Sequence, residues 1–194
     1  MPTVTALRDN RRGRVAVELD GAPWRVLPVD VVVRAGIVAG RSLDRPALRL
    51  LRRELRRAEA LGVAGRALRR RDLSRRALAD RLERAAVPPA AAEESLATLT
   101  RAGLVDDARV ARSRAEALAN RGYGDEAIRH RLSQEGLDEH AADSLAGLEP
   151  ESKRAEAIVG RRGRGLRTAR YLGSRGFGED AVEAALGAAF GQEG

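Results

Sequence analysis

Between Gly13 and Leu19 apolar and polar positions alternate, the two-residue period of a half-buried strand. Asp20-Gly21 follows as a hairpin turn pair, and Trp24-Arg25-Val26-Leu27 can return as the second strand. Val4 to Leu7 offers a third strand, and Trp24 is expected to cover the hairpin face. Pro28 to Ala35, with Val31-Val32-Val33 at its centre, reads as a short helix or a further strand. So small a β piece does not stand alone.

From Asp44 the period changes to that of helices. Asp44 is placed to cap a helix with Pro46 in its first turn, and Leu48, Leu51, Leu55 and Ala58 form one apolar stripe. Gly62 and Gly65 are expected to break or kink this helix before Arg71.

An internal repeat then dominates. Ala77-Leu78-x-x-Arg81-Leu82 recurs as Ala127-Ile128-x-x-Arg131-Leu132 and, more loosely, as Arg167-Thr168-x-x-Tyr171-Leu172. A small-then-apolar pair follows each copy: Ala86-Val87, Gly136-Leu137 and Gly176-Phe177. The two glycines suit a left-handed helix end, with Leu137 and Phe177 folding back as its apolar contact. Pro88, Asp138 and Gly178 then start the next helices, Asp138 as a cap. Asp106 caps a helix before the second copy, and Pro150 opens one before the third.

The expected fold is mainly α. It has nine helices in three tandem three-helix repeats (45–103, 104–148 and 149–194) behind a β-hairpin-containing segment 1–44. Repeats this small must stack to bury their apolar faces, so a curved array is expected.

Charge changes the picture from scaffold to binder. The net charge is +8, and Lys153 is the single lysine. Arginine offers bidentate phosphate contacts, although a GC-rich genome also favours it over lysine. The excess of positive charge is a separate fact and points to a polyanion, or to a partner already holding one. From Arg45 to Arg76 twelve arginines face only Glu54, Glu59 and Asp72; from Arg161 to Arg175 there are six arginines and no acid.

Three groups are therefore candidates: Arg69, Arg70 and Arg71 with Arg75 and Arg76; Arg161, Arg162, Arg164, Arg167 and Arg170; and Arg109, Arg112, Arg114 and Arg121. On one concave face they would give salt-sensitive, sequence-blind affinity. For any single arginine a solvated helix face is the simpler reading. Tyr123, Tyr171 and Phe177 could stack bases, but Phe177 sits at a turn anchor and fits the core, and Tyr171 fits packing better than stacking.

Chemistry has little footing. With no cysteine and only His130 and His140, on separate helices, no metal site, cofactor site or acid–base pair is expected. Gly160-Arg161-Arg162-Gly163-Arg164-Gly165 follows a helix and lacks the Gly-Lys-Ser/Thr ending of a phosphate loop. The N-terminus lacks the apolar core of a secretion signal, so a soluble, cytoplasmic protein is expected.

The layout resembles the RecX family of recombination regulators. The likeness rests on Leu73-Ser74-Arg75-Arg76-Ala77-Leu78, the join Ala102-Gly103-Leu104-Val105-Asp106-Asp107, Arg121-Gly122-Tyr123-Gly124, and the closing Arg170-Tyr171-Leu172-x-x-Arg175-Gly176-Phe177. It also includes the leader Gly13-Arg14-Val15 with Leu19-Asp20-Gly21. Ala86-Val87-Pro88-Pro89, where a Gly-apolar turn is usual, departs from the pattern.

The resemblance implies a non-enzymatic, monomeric regulator of the RecA-type recombinase, acting in recombinational repair and the SOS response. It would bind the recombinase filament on single-stranded DNA, with duplex DNA as a further target, and restrain filament extension, ATP hydrolysis and strand exchange. A basic repeat protein binding DNA without a recombinase is the alternative, and a scaffold indifferent to salt is a third class. A helix-turn-helix reader is disfavoured, because the helix from Pro89 opens on Ala90, Ala91 and Ala92, which cannot read base edges.

Overall fold

The computed structural model describes residues 1–187, so the last seven residues of the expected segment 149–194 lie outside the described part. It is mainly helical with one small sheet. Two compact units emerge: residues 1–71 with 78–104, and residues 72–77 with 105–187 of the described chain.

In the first unit β1 (Val4–Asn10), β2 (Arg14–Leu19) and β3 (Ala22–Pro28) form an antiparallel meander in the order β1-β2-β3. Asp20 and Gly21 both take positive φ, +50° and +82°, the backbone a two-residue hairpin turn needs. The ambiguous segment after Pro28 is a helix, α1 (Val29–Arg34), burying Val31 and Val32.

The sheet does not keep a core of its own. Val4, Val17 and Leu27 pack in one cluster with α1, Leu43, and Ala47 and Leu51 of α2 (Arg45–Leu68), with Trp24 half-buried against it. Asp44 caps α2 by accepting from the Ala47 N–H at 2.8 Å. The expected break at Gly62 and Gly65 is absent: α2 runs unbroken to Leu68. Ala60 and Ala64 are fully buried on that stretch, so tertiary packing overrides the weak helix preference of two glycines.

Helices α3 (Arg75–Arg84) and α4 (Pro89–Arg101) follow. At the turn between them Ala86 occupies φ +55°, the left-handed position that Gly136 (+70°) and Gly176 (+76°) fill in the other copies. The repeat keeps its backbone even where it lacks the glycine.

The second unit holds α5 (Asp107–Asn120), α6 (Asp125–Gln134) and α7 (Ala141–Ala146), then α8 (Glu151–Arg162), α9 (Leu166–Ser174) and α10 (Glu179–Gly187). Ile128, Leu132 and Leu137 anchor one apolar cluster; Ile158, Leu172 and Phe177 anchor the other. Asp106 caps α5 by accepting from Arg109 N–H at 2.9 Å. Asp138 does not cap a helix as expected. It starts a 3-10 turn (Asp138–His140) leading into α7, with no side-chain cap bond.

Candidate nucleic-acid interface

Two joints within the second unit share one plan. At the first, Ser74 Oγ donates to the Glu135 carbonyl at 2.8 Å, and Arg75 N–H donates to Asp107 Oδ1 at 2.7 Å. At the second, Gly124 N–H donates to the Arg175 carbonyl at 2.9 Å, and Asp125 N–H donates to Glu151 Oε1 at 2.6 Å. In each, the start of one helix rests on the turn of a later repeat copy, while an acid from the first residue of α5 or α8 holds its exposed N–H. The sequence repeat has become a repeated contact.

The second joint is tighter. A Cβ on Gly124 would overlap the backbone of Gly176 and Phe177, and one on Gly176 would lie 2.6 Å from Ala127 Cβ. Backbone against backbone is possible there only because both residues are glycine. Arg154, its side chain only 9% exposed, donates to the Tyr123 carbonyl at 2.9 Å and the Glu149 carbonyl at 3.0 Å, and pairs with Asp125.

That close approach sets Tyr123 beside Arg175. The guanidinium carbons of Arg175, Arg131 and Arg121 lie 4.6, 4.7 and 5.9 Å from the Tyr123 ring centre. Arg175 also lies 5.2 Å from the Tyr171 ring, over which Arg162 sits at 3.9 Å. None of these four arginines has an ion-pair partner among the described residues. The first joint is the electrostatic opposite: Glu135 stands where Arg175 stands, and pairs with Arg114 at 3.2 Å.

The expected arginines therefore sort by partner. Arg109 and Arg114 are neutralised, by Asp72 at 3.5 Å and by Glu135. Arg75 is half-buried and engaged, and the arm of Arg76 lies against Gly136. Arg112, Arg164, Arg167 and Arg170 are exposed; Arg161 is exposed and donates to the Ala157 carbonyl. Arg69, Arg70 and Arg71 are exposed at the end of α2 in the first unit, so the expected grouping with Arg75 and Arg76 falls across the division between units. Arg121 and Arg162 join the ring-held set.

Arg131 and Arg175 were not among the sequence candidates. Arg175 follows Tyr171 by four residues at the end of α9, a spacing that places ring and guanidinium on one helical side, whereas Tyr123 lies in the turn before α6, so helical periodicity does not bring Arg131 to it. The grouping of Arg175 with Tyr123 is tertiary and leaves no local trace. In the first unit a groove of about 320 Å³ between α2 and α4 is lined by Arg49, Arg52, Arg53 and Arg56, also outside the candidates. There Glu54, 5% exposed, accepts from Arg53 at 3.1 Å, and Arg57 reaches Glu94 at 3.3 Å. Lys153 pairs with Glu156 at 2.9 Å, which raises its pKa; it takes no part in the ring-held set.

No group of three or more metal-ligating side chains occurs among the described residues, and none of their helices is long and apolar enough to cross a membrane.

Residues 106–144 match the family model described as RecX, second three-helix domain. The regulatory protein RecX of Stenotrophomonas maltophilia is 34% identical over 139 residues, covering 65% of this chain and 82% of that one. This chain belongs to the RecX family. RecX crystal structures share the fold: one titled "Crystal structure of regulatory protein RecX" matches with TM-score 0.81 and 20% identity, over 94% of this chain and 98% of that one. RecX from Lactobacillus salivarius matches with TM-score 0.61 and 20% identity, over 69% of this chain and 96% of that one.

Proposed function

We propose that this RecX family chain binds the RecA–single-stranded-DNA filament and restrains its extension, and with it ATP hydrolysis and strand exchange, in recombinational repair. It acts by binding rather than turnover, as a cytoplasmic monomer without cofactor. The reading carries forward three tandem repeats, 45–103, 104–148 and 149–194 behind segment 1–44, which engage the filament groove.

The observation that carries it is the set of arginines that have no ion-pair partner among the described residues. Arg121, Arg131, Arg162 and Arg175 gather on two rings, and Arg164, Arg167 and Arg170 lie exposed beyond them on the loop before α9 and on α9. A nucleoprotein polymer supplies what such a surface lacks, a long run of phosphates and carboxylates. Arg69, Arg70, Arg71, Arg76, Arg112 and Arg161 are assigned to the same contact. Arg75, Arg109 and Arg114 hold internal partners, and they contribute by shaping the first joint.

The test is a titration of the purified chain into a RecA-type recombinase hydrolysing ATP on single-stranded DNA. Inhibition below one chain per recombinase supports the reading. No inhibition at any ratio, beside intact binding to naked DNA, would favour the alternative of a direct DNA binder.

A further inference from the structure

We infer that the second joint is a phosphodiester track, in which Arg121, Arg131, Arg175 and Arg162 hold the backbone of one nucleic-acid strand. Tyr123 and Tyr171 act there as positioning residues for guanidiniums, not as platforms for bases. The inference deepens the proposed function, since it names where a strand meets the second unit.

Three features carry it. First, four cations from the α5–α6 turn, α6, the end of α8 and the end of α9 converge on two rings, with Arg175 shared at 4.6 and 5.2 Å. Like charges this close repel, and no acid forms an ion pair with them among the described residues. The nearby carboxylates are engaged elsewhere: Asp125 pairs with Arg154, and Glu151 accepts from the Asp125 and Gly178 N–H groups.

Second, rings hold guanidiniums without neutralising them. A carboxylate would fix an arginine and cancel its charge, as Glu135 does for Arg114. A tyrosine face fixes it without cancelling its charge and leaves N–H groups able to reach an oxyanion, although Arg131 donates one of its own to the Tyr123 hydroxyl at 3.4 Å. Third, three guanidiniums lie over Tyr123 and two over Tyr171, so the faces a base would stack on are taken. What remains is four cations without a carboxylate partner among the described residues, a charge that phosphates can neutralise without reading sequence.

The test uses the full chain without recombinase and a fluorescein-labelled oligothymidylate, read by anisotropy across a sodium chloride series. R131Q/R175Q is expected to lower the slope of log K against log salt by about 1.4, or about 0.7 for each phosphate of a single strand that is no longer neutralised. Y123L/Y171L is expected to weaken binding roughly fivefold, while Y123F/Y171F, which keep the ring faces, stay within about twofold of the parent. Polyphosphate should displace the oligonucleotide and polyglutamate should not.

An unchanged salt slope in R131Q/R175Q overturns the track, as does equal displacement by polyglutamate, which would point to an acidic protein partner. So does a folded Y123L/Y171L that binds like the parent. Should the leucine pair lose helicity by circular dichroism, the slope of the arginine pair decides alone. A parent chain that inhibits the recombinase ATPase but binds no oligothymidylate at any salt sinks the track and leaves the filament reading standing. Oligonucleotide binding with an untouched ATPase does the reverse.

Discussion

The two joints of the second unit have the same backbone plan and opposite electrostatics. At the first, Leu73-Ser74-Arg75 rests on Glu135-Gly136-Leu137, and arginine is answered by carboxylate: Arg114 by Glu135, Arg109 by Asp72. At the second, Tyr123-Gly124-Asp125 rests on Arg175-Gly176-Phe177; Arg154 is paired with Asp125, but Arg121, Arg131, Arg162 and Arg175 are answered by tyrosine rings. One exchange of partner chemistry makes the difference between a joint that neutralises itself and one that stays cationic. The number of arginines in a segment is thus a weaker guide to binding than what holds each of them.

The comparison can be broken at its glycines first. Gly176→Ala must accept a left-handed φ and also meet Ala127, so a loss of about 3 kcal/mol is expected. At the first joint Gly136→Ala faces the same φ but only the flexible arm of Arg76, and should cost about 1.5 kcal/mol. Urea denaturation of both variants checks the order; equal losses would mean that the second joint is no tighter than the first.

Partner chemistry supplies the next contrast. Arg154→Gln removes a nearly buried cation and orphans Asp125, which is about a third exposed, so roughly 2 kcal/mol is expected to be lost. Arg175→Gln removes a cation held only by rings and should cost under about 0.5 kcal/mol. A pair of thermal melts separates them, and a large loss in Arg175→Gln would make the ring-held set structural. Ala86→Gly tests the turn that departs from the repeat: relieving the φ of +55° should stabilise by about 1 kcal/mol. The smallest effect is expected from Glu135→Gln, which breaks a half-buried, solvent-screened pair and should change stability by under about 0.5 kcal/mol.

Much of the helical fold was legible in the chain. The period of Ala77-Leu78 with Leu82, Ile128 with Leu132 and Leu172, and the caps at Asp44 and Asp106, are local patterns with local causes. The reading at Gly62 and Gly65 failed because long-range packing holds the helix through them, and the reading at Asp138 failed for a local reason. Nothing adjacent to Gly62 announces the buried Ala60 and Ala64 face, and the chain after Leu137 tightens into a 3-10 turn before any cap can form.

The site was harder. Clusters of arginine are visible by eye, but the carboxylates facing Arg109 and Arg114 lie 37 and 21 residues away in sequence, so their neutralisation is invisible until the chain folds. Arg175 was passed over for the converse reason. Its environment is made by Tyr123, brought in by the Gly124–Gly176 contact.

The claim that acid-free arginines restrain a recombinase filament meets its most direct trial in paired ATPase titrations on single-stranded DNA. The parent chain is compared with R162Q/R164Q/R167Q/R170Q, a variant confined to exposed residues outside the joint's backbone contacts. The expected result is substoichiometric inhibition by the parent and at least a tenfold higher half-inhibitory concentration for the variant, equivalent to about 1.4 kcal/mol of binding free energy. Identical inhibition curves from two equally folded proteins would contradict it.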